Sequence, residues 1–133
     1  MRLAPVATLV LALVLAGTAA AGRVVGVGAN KNGEDVTIEI GDAIVVSLSS
    51  RPPSTGYSWR LAAVNHQVIR PDTTAYVRAR RKTTVTGYGG VEVLIFKAIR
   101  RGATELKLNY AKAGASAERT FALTLKVVAP GSS

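Results

Sequence analysis

The chain of 133 residues is 48% hydrophobic and 19% charged, with 17 Lys and Arg against 8 Asp and Glu and a formal net charge of +9. That is the composition of one globular domain, neither a disordered segment nor a repeat array. With no cysteine and one histidine, a disulfide framework, a thiol nucleophile, a thiolate metal site and a multi-histidine metal site within one chain are excluded.

Arg2 precedes an apolar run from Leu3 to Gly17, followed by the small residues Ala19-Ala20-Ala21. A positive start, a short apolar stretch and an Ala-x-Ala site describe a secretory signal peptide, and the stretch is shorter than the roughly 20 residues of a membrane span. Cleavage is expected after Ala21. Residues 22–34 then form a lead-in, 35–128 the domain and 129–133 a tail. The mature protein is expected to be exported, periplasmic or secreted, with no stable membrane insertion.

From Val36 onward the pattern has period two. Val36, Ile38 and Ile40 alternate with Thr37 and Glu39, the mark of a half-buried strand. After a Gly41-Asp42 turn, Ile44, Val46 and Leu48 form a second inward row. Ser50 to Gly56, with Pro52 and Pro53, reads as a loop. Tyr57 to Leu61 resumes as strand, with Trp59 as core anchor. Val68 and Ile69 give a short strand or single turn ending at Arg70-Pro71. Thr74 to Thr84, alternating apolar or aromatic residues with cations, suits an exposed edge strand. Val91 to Ile99 is apolar on both faces, so its inward phase is open. Leu106, Leu108 and Tyr110 face inward on the next strand, 111–117 is a small-residue loop, and Phe121, Leu123, Leu125 and Val127 form the last inward row.

No helix-length window has a 3.6-residue period. Seven to eight short strands separated by turn signals argue for an all-β protein, a two-sheet β-sandwich. Without cysteines, packing alone must hold it.

Two loops carry more than turn chemistry. Pro52 and Pro53 restrict the backbone ahead of Ser54 and Thr55, which lowers the entropy lost if that tip binds a partner; a stiff inter-strand turn is the plainer reading. Gly87-Tyr88-Gly89-Gly90 permits positive φ and close approach of a partner's backbone, with Tyr88 as contact surface; a wide hairpin connection is its plainer reading.

Taken in order, Pro53-Ser54-Thr55-Gly56-Tyr57-Ser58-Trp59, Gly87-Tyr88-Gly89-Gly90 and Leu106-Lys107-Leu108-Asn109-Tyr110 resemble the chagasin-like inhibitors of papain-type cysteine peptidases. The strand and turn of residues 36–42 and the closing strand from Phe121 match in position. The resemblance implies an immunoglobulin-like β-sandwich that reversibly occludes a papain-like peptidase cleft with loops 52–57, 87–90 and 111–117. Thr55, flanked by Pro53, Ser54 and Gly56, would lie over the catalytic centre. Tyr57 would close the base of that loop, Gly87, Tyr88, Gly89 and Gly90 would form the second arm, and Lys112 would supply a cation on the third. Two positions depart from the family pattern: Pro52 stands where the family has Asn, and Ala111-Lys112-Ala113-Gly114 where it has Arg-Pro-Trp after the tyrosine. A monomer is expected, with no catalytic residue, cofactor or metal.

An alternative remains open at this stage: an exported binding module whose basic cluster Arg78, Arg80, Arg81 and Lys82 meets an anionic surface or envelope component. A solvated edge strand protected by charge explains the same cluster. No nucleic-acid partner is expected, because the 5% aromatic content gives no stacking platform. His66 lies in a polar loop with no nucleophile-elbow motif in the chain. Gly26-Val27-Gly28 lacks the strand–helix context of a dinucleotide site, and the scattered acids give no calcium loop.

Overall fold

The computed structural model describes residues 22–78 and 89–131. Eight strands are present among them: β1 (Val24–Val27), β2 (Asp35–Glu39), β3 (Ala43–Ser50), β4 (Tyr57–Ala63), β5 (Ile69–Arg78), β6 (Gly90–Ala98), β7 (Gly102–Lys112) and β8 (Arg119–Val128). They form two four-stranded sheets, ordered β1-β3-β6-β5 and β2-β8-β7-β4. β1 runs parallel to β3 and β2 parallel to β8; the other pairings are antiparallel.

The alternating rows meet between the sheets. Ile44, Val46 and Leu48 of β3 face Leu106, Leu108, Tyr110, Phe121, Leu123, Leu125 and Val127 across a core in which each is at most 3% exposed. Trp59 is buried with them. The phase left open for β6 is settled by packing: Leu94, Phe96 and Ala98 are buried, while Val91, Val93 and Ile95 are half-buried on the other face. Burying one face of a strand fixes its register, because a shift of one residue would turn the whole row outward.

Three segments differ from the alternation reading. Val24–Val27 is a strand, too short and glycine-flanked to show periodicity alone. Ile69 to Arg78 is one strand, not a short piece and a separate one. It tolerates Pro71 because it lies at the sheet edge, with a register shift between Pro71 and Thr73. β7 continues through Ala111 and Lys112, both expected in the loop; Ala111 is buried beside Ser58.

One buried charge organises the far end of the sandwich. Asp42 is 1% exposed, and its carboxylate accepts from the Arg23 amide at 2.8 Å, the Glu39 amide at 2.9 Å and the Arg23 guanidinium at 3.0 Å. Burial pushes its pKa up, but these donors outweigh burial and hold it below the usual carboxylate value.

Candidate functional site

Strand register brings the inter-strand connections of interest to one end. Ser50, closing β3, and Arg78, closing β5, both lie opposite Gly90, which opens β6. In the other sheet Tyr57, opening β4, lies opposite Lys112, which closes β7, and Tyr110 lies opposite Arg119, which opens β8. Segments 51–56 and 113–118 therefore emerge together, and the ends of β5 and β6 lie beside them. Gly87 and Tyr88 lie outside the described residues, as do Arg80, Arg81, Lys82 and residues 1–21.

The first loop is a tight turn. Pro53–Thr55 form one turn of 3-10 helix, entered through Pro52 at φ −57° and ψ 148° and left through Gly56 at φ 84°. The last value is the left-handed region that glycine occupies without a Cβ penalty. The Thr55 hydroxyl donates to the Pro52 carbonyl at 2.6 Å and accepts from the Tyr57 amide at 3.4 Å. It therefore braces its own turn. Pro53, Ser54 and Gly56 are exposed at the tip, and Thr55 is half-buried.

Below the tip, aromatic rings and cations alternate. Tyr57 stacks on Tyr110 with centroids 5.4 Å apart, and Trp59 packs on Tyr110 at 5.0 Å. The Arg51 guanidinium lies 4.3 Å from the Tyr57 centroid, and that of Arg119 lies 5.4 Å from the Trp59 ring. These distances allow cation–π attraction. The fully buried Tyr110 accepts from the Arg51 amide through its hydroxyl at 2.7 Å. Trp59 donates its indole N–H to the Ser49 carbonyl at 3.0 Å and its amide to Glu92 at 2.7 Å. Burial raises the Glu92 pKa, partly opposed by hydrogen bonds from the Trp59 amide and the Ser50 hydroxyl and by the charge of Arg60. Glu92 lines a cleft of about 320 Å³ with Arg51, Pro53, Tyr57, Arg60 and Tyr76.

Gly89 and Gly90 of the second arm serve packing within the domain. Neither Gly89 nor Gly90 has a positive φ. A Cβ on Gly90 would lie 2.2 Å from the Val77 carbonyl oxygen, and one on Gly89 would lie 3.1 Å from the Tyr76 hydroxyl and 3.2 Å from the Pro52 ring. The start of β6 thus abuts the first loop. Lys112 is exposed, and its side-chain stem runs 3.5 Å from where a Gly56 Cβ would stand.

Sequence reasoning missed the ion pair between the flanks of the first and third loops. Arg51 meets Glu118 at 2.6 Å and 3.3 Å through two parallel contacts. Residues 67 positions apart gave no periodic signal to find it. The hydrogen bond from Arg51 holds the Glu118 carboxyl below its usual pKa. Among the described residues no group of three His, Cys, Asp or Glu could hold a metal, and no helix is long and apolar enough to cross a membrane. His66 is exposed in a turn.

Comparison with known proteins adds a family. The model described as "Chagasin family peptidase inhibitor I42" matches residues 37–127, more than half of the chain. No protein with a curated description matches. Among solved structures, the cysteine protease inhibitor EhICP2 from Entamoeba histolytica is similar at 17% identity and a TM-score of 0.69, over 80% of this chain and 96% of that one. Amebosin is similar at 24% identity and a TM-score of 0.63, over 80% and 98%. At these identities the likeness shows the fold, an immunoglobulin-like β-sandwich.

Proposed function

The chain belongs to the chagasin family of peptidase inhibitors, and from that premise we propose that it inhibits papain-like cysteine peptidases reversibly, without covalent chemistry, by seating the 52–57 tip in the active-site cleft. The observation that carries this reading is the common end shared by the 51–56 turn, the 113–118 turn and the start of β6, with Gly89 against Pro52. In this reading Pro53, Ser54 and Gly56 meet the cleft, Thr55 stands at its centre with the hydroxyl turned inward, and Tyr57 closes the base. Gly87, Tyr88, Gly89 and Gly90 form one flank and the 111–117 segment with Lys112 the other.

The turn geometry explains why such a plug resists cleavage. Attack by a thiolate needs a peptide carbonyl held in a near-attack arrangement on an accessible backbone. A 3-10 turn closed by hydrogen bonds from Thr55 and ended by a left-handed glycine does not offer that extended backbone. Two imino acids and a hydrogen-bonded hydroxyl reduce the conformational freedom lost on binding, so more of the contact energy appears as affinity.

Export is part of the proposal: Arg2, the apolar run 3–17 and Ala19-Ala20-Ala21 support a signal peptide over 1–21, placing the mature domain in the periplasm or outside the cell. The family favours inhibition over the anionic-surface alternative. Titration of papain with residues 22–133, following hydrolysis of a peptide substrate, tests the reading. Saturable loss of activity that returns on dilution is expected; full activity at a large molar excess would refute it.

A further inference from the structure

We propose that Arg51 and Glu118 are positioning residues for the inhibitory end, forming a latch that fixes the first loop relative to the third. The inference rests on the inhibitor reading and adds to it two residues that act by holding the loops to one another.

Arg51 is the last residue before Pro52 and Pro53, and those imino acids have no amide hydrogen with which to anchor the turn. The approach to the tip is therefore held from Arg51, by both its backbone and its side chain. Its amide donates to the Tyr110 hydroxyl. Its guanidinium lies over Tyr57 and takes both oxygens of Glu118. Glu118 in turn closes the third loop, its own amide donating to the Tyr110 carbonyl at 2.8 Å. Both ends of the latch are thus tied through their backbone amides to one buried residue, Arg51 to the Tyr110 hydroxyl and Glu118 to its carbonyl, and the ion pair bridges the remaining gap.

The two-point fork sets orientation as well as distance, which a lysine at the same place would not do. The Arg51 side chain is 25% exposed and that of Glu118 46%, and pairs in such positions contribute little to global stability. Its effect is local. Without it, loops 51–56 and 113–118 keep only their separate ties to Tyr110, and a target must restrict each of them further on binding.

The test measures papain inhibition and thermal unfolding for wild type, Glu118→Gln, Arg51→Gln and the double variant. Glu118→Gln should raise Ki about threefold to tenfold, and Arg51→Gln should raise it further because the contact with Tyr57 is also lost. The double variant should equal Arg51→Gln, since the shared contact can be lost only once. Tm should stay within about 2 °C for Glu118→Gln. Unchanged inhibition by Glu118→Gln, or additive effects in the double variant, would overturn the latch. Backbone amide relaxation at Ser54 and Ala115 reads it without a peptidase. Glu118→Gln should lower the order parameters of both amides, and unchanged values would overturn the latch. If wild type fails to inhibit papain, the inhibitor reading falls and the relaxation experiment alone decides the latch.

Discussion

The backbone amide of Arg51 and the hydroxyl of Tyr110, 59 positions apart in sequence, meet at 2.7 Å across the two sheets. Through this bond the buried aromatic stack reaches the foot of the first loop. Tyr110→Phe keeps the ring and removes the hydroxyl that accepts this partly buried hydrogen bond. A loss of about 1–2 kcal/mol in urea unfolding is expected, together with weaker papain inhibition.

Thr55 separates bracing from contact. Thr55→Ser keeps the hydroxyl and should leave Ki within about twofold, whereas Thr55→Val, of equal size, loses the bonds to Pro52 and Tyr57 and should raise Ki about tenfold. Thr55→Arg should abolish inhibition by placing a bulky charge in the cleft. Equal Ki values for the Ser and Val variants would remove the bracing role.

Gly90 and Gly26 make a matched pair. Gly90→Ala drives a Cβ to within 2.2 Å of the Val77 carbonyl oxygen, while Gly26→Ala, at an exposed position of β1, meets nothing within 4 Å. Unfolding should show a loss of about 2–3 kcal/mol for the first and a change within about 0.5 kcal/mol for the second.

Much of this fold was legible in the sequence, because a row of alternating aliphatics has one low-energy placement once two sheets face each other. β2, β3 and β8 have that form, and their inward rows are the ones read from the sequence. Val91 to Ile99 could not be phased from its own residues, since only packing against β3 and the opposite sheet distinguishes Leu94 from Val93. The loop motifs carried the family, but not what their side chains do. The inward turn of the Thr55 hydroxyl, the crowding around Gly90 and the pairing of Arg51 with Glu118 arise from tertiary proximity. A lone Asp42 in a Gly-Asp turn likewise gave no sign that it would be buried beneath Arg23.

Glu92 and Asp42 predict opposite pH behaviour. Burial raises the Glu92 pKa in the folded state, so its favourable contribution belongs to the protonated form and is lost as pH rises through that value. Glu92→Gln should therefore be more stable than wild type at neutral pH, the difference closing as the solution is acidified. The Asp42 pKa is lowered, so its contribution is present above the ordinary Asp value of about 3.9 and lost as pH falls through the depressed one. Asp42→Asn should be less stable at neutral pH and converge with wild type in acid. Urea midpoints from neutral pH down to about pH 2 would read both trends.

Occlusion of the catalytic thiol is most directly tested by alkylation. Because this chain has no cysteine, iodoacetamide added to its mixture with papain reports only on the peptidase. Alkylation of the active-site cysteine should slow in proportion to occupancy, and the inhibitor should be recovered at its intact mass. Alkylation at the free-enzyme rate while hydrolysis is blocked, or recovery of a chain cut between Pro53 and Tyr57, would contradict the account.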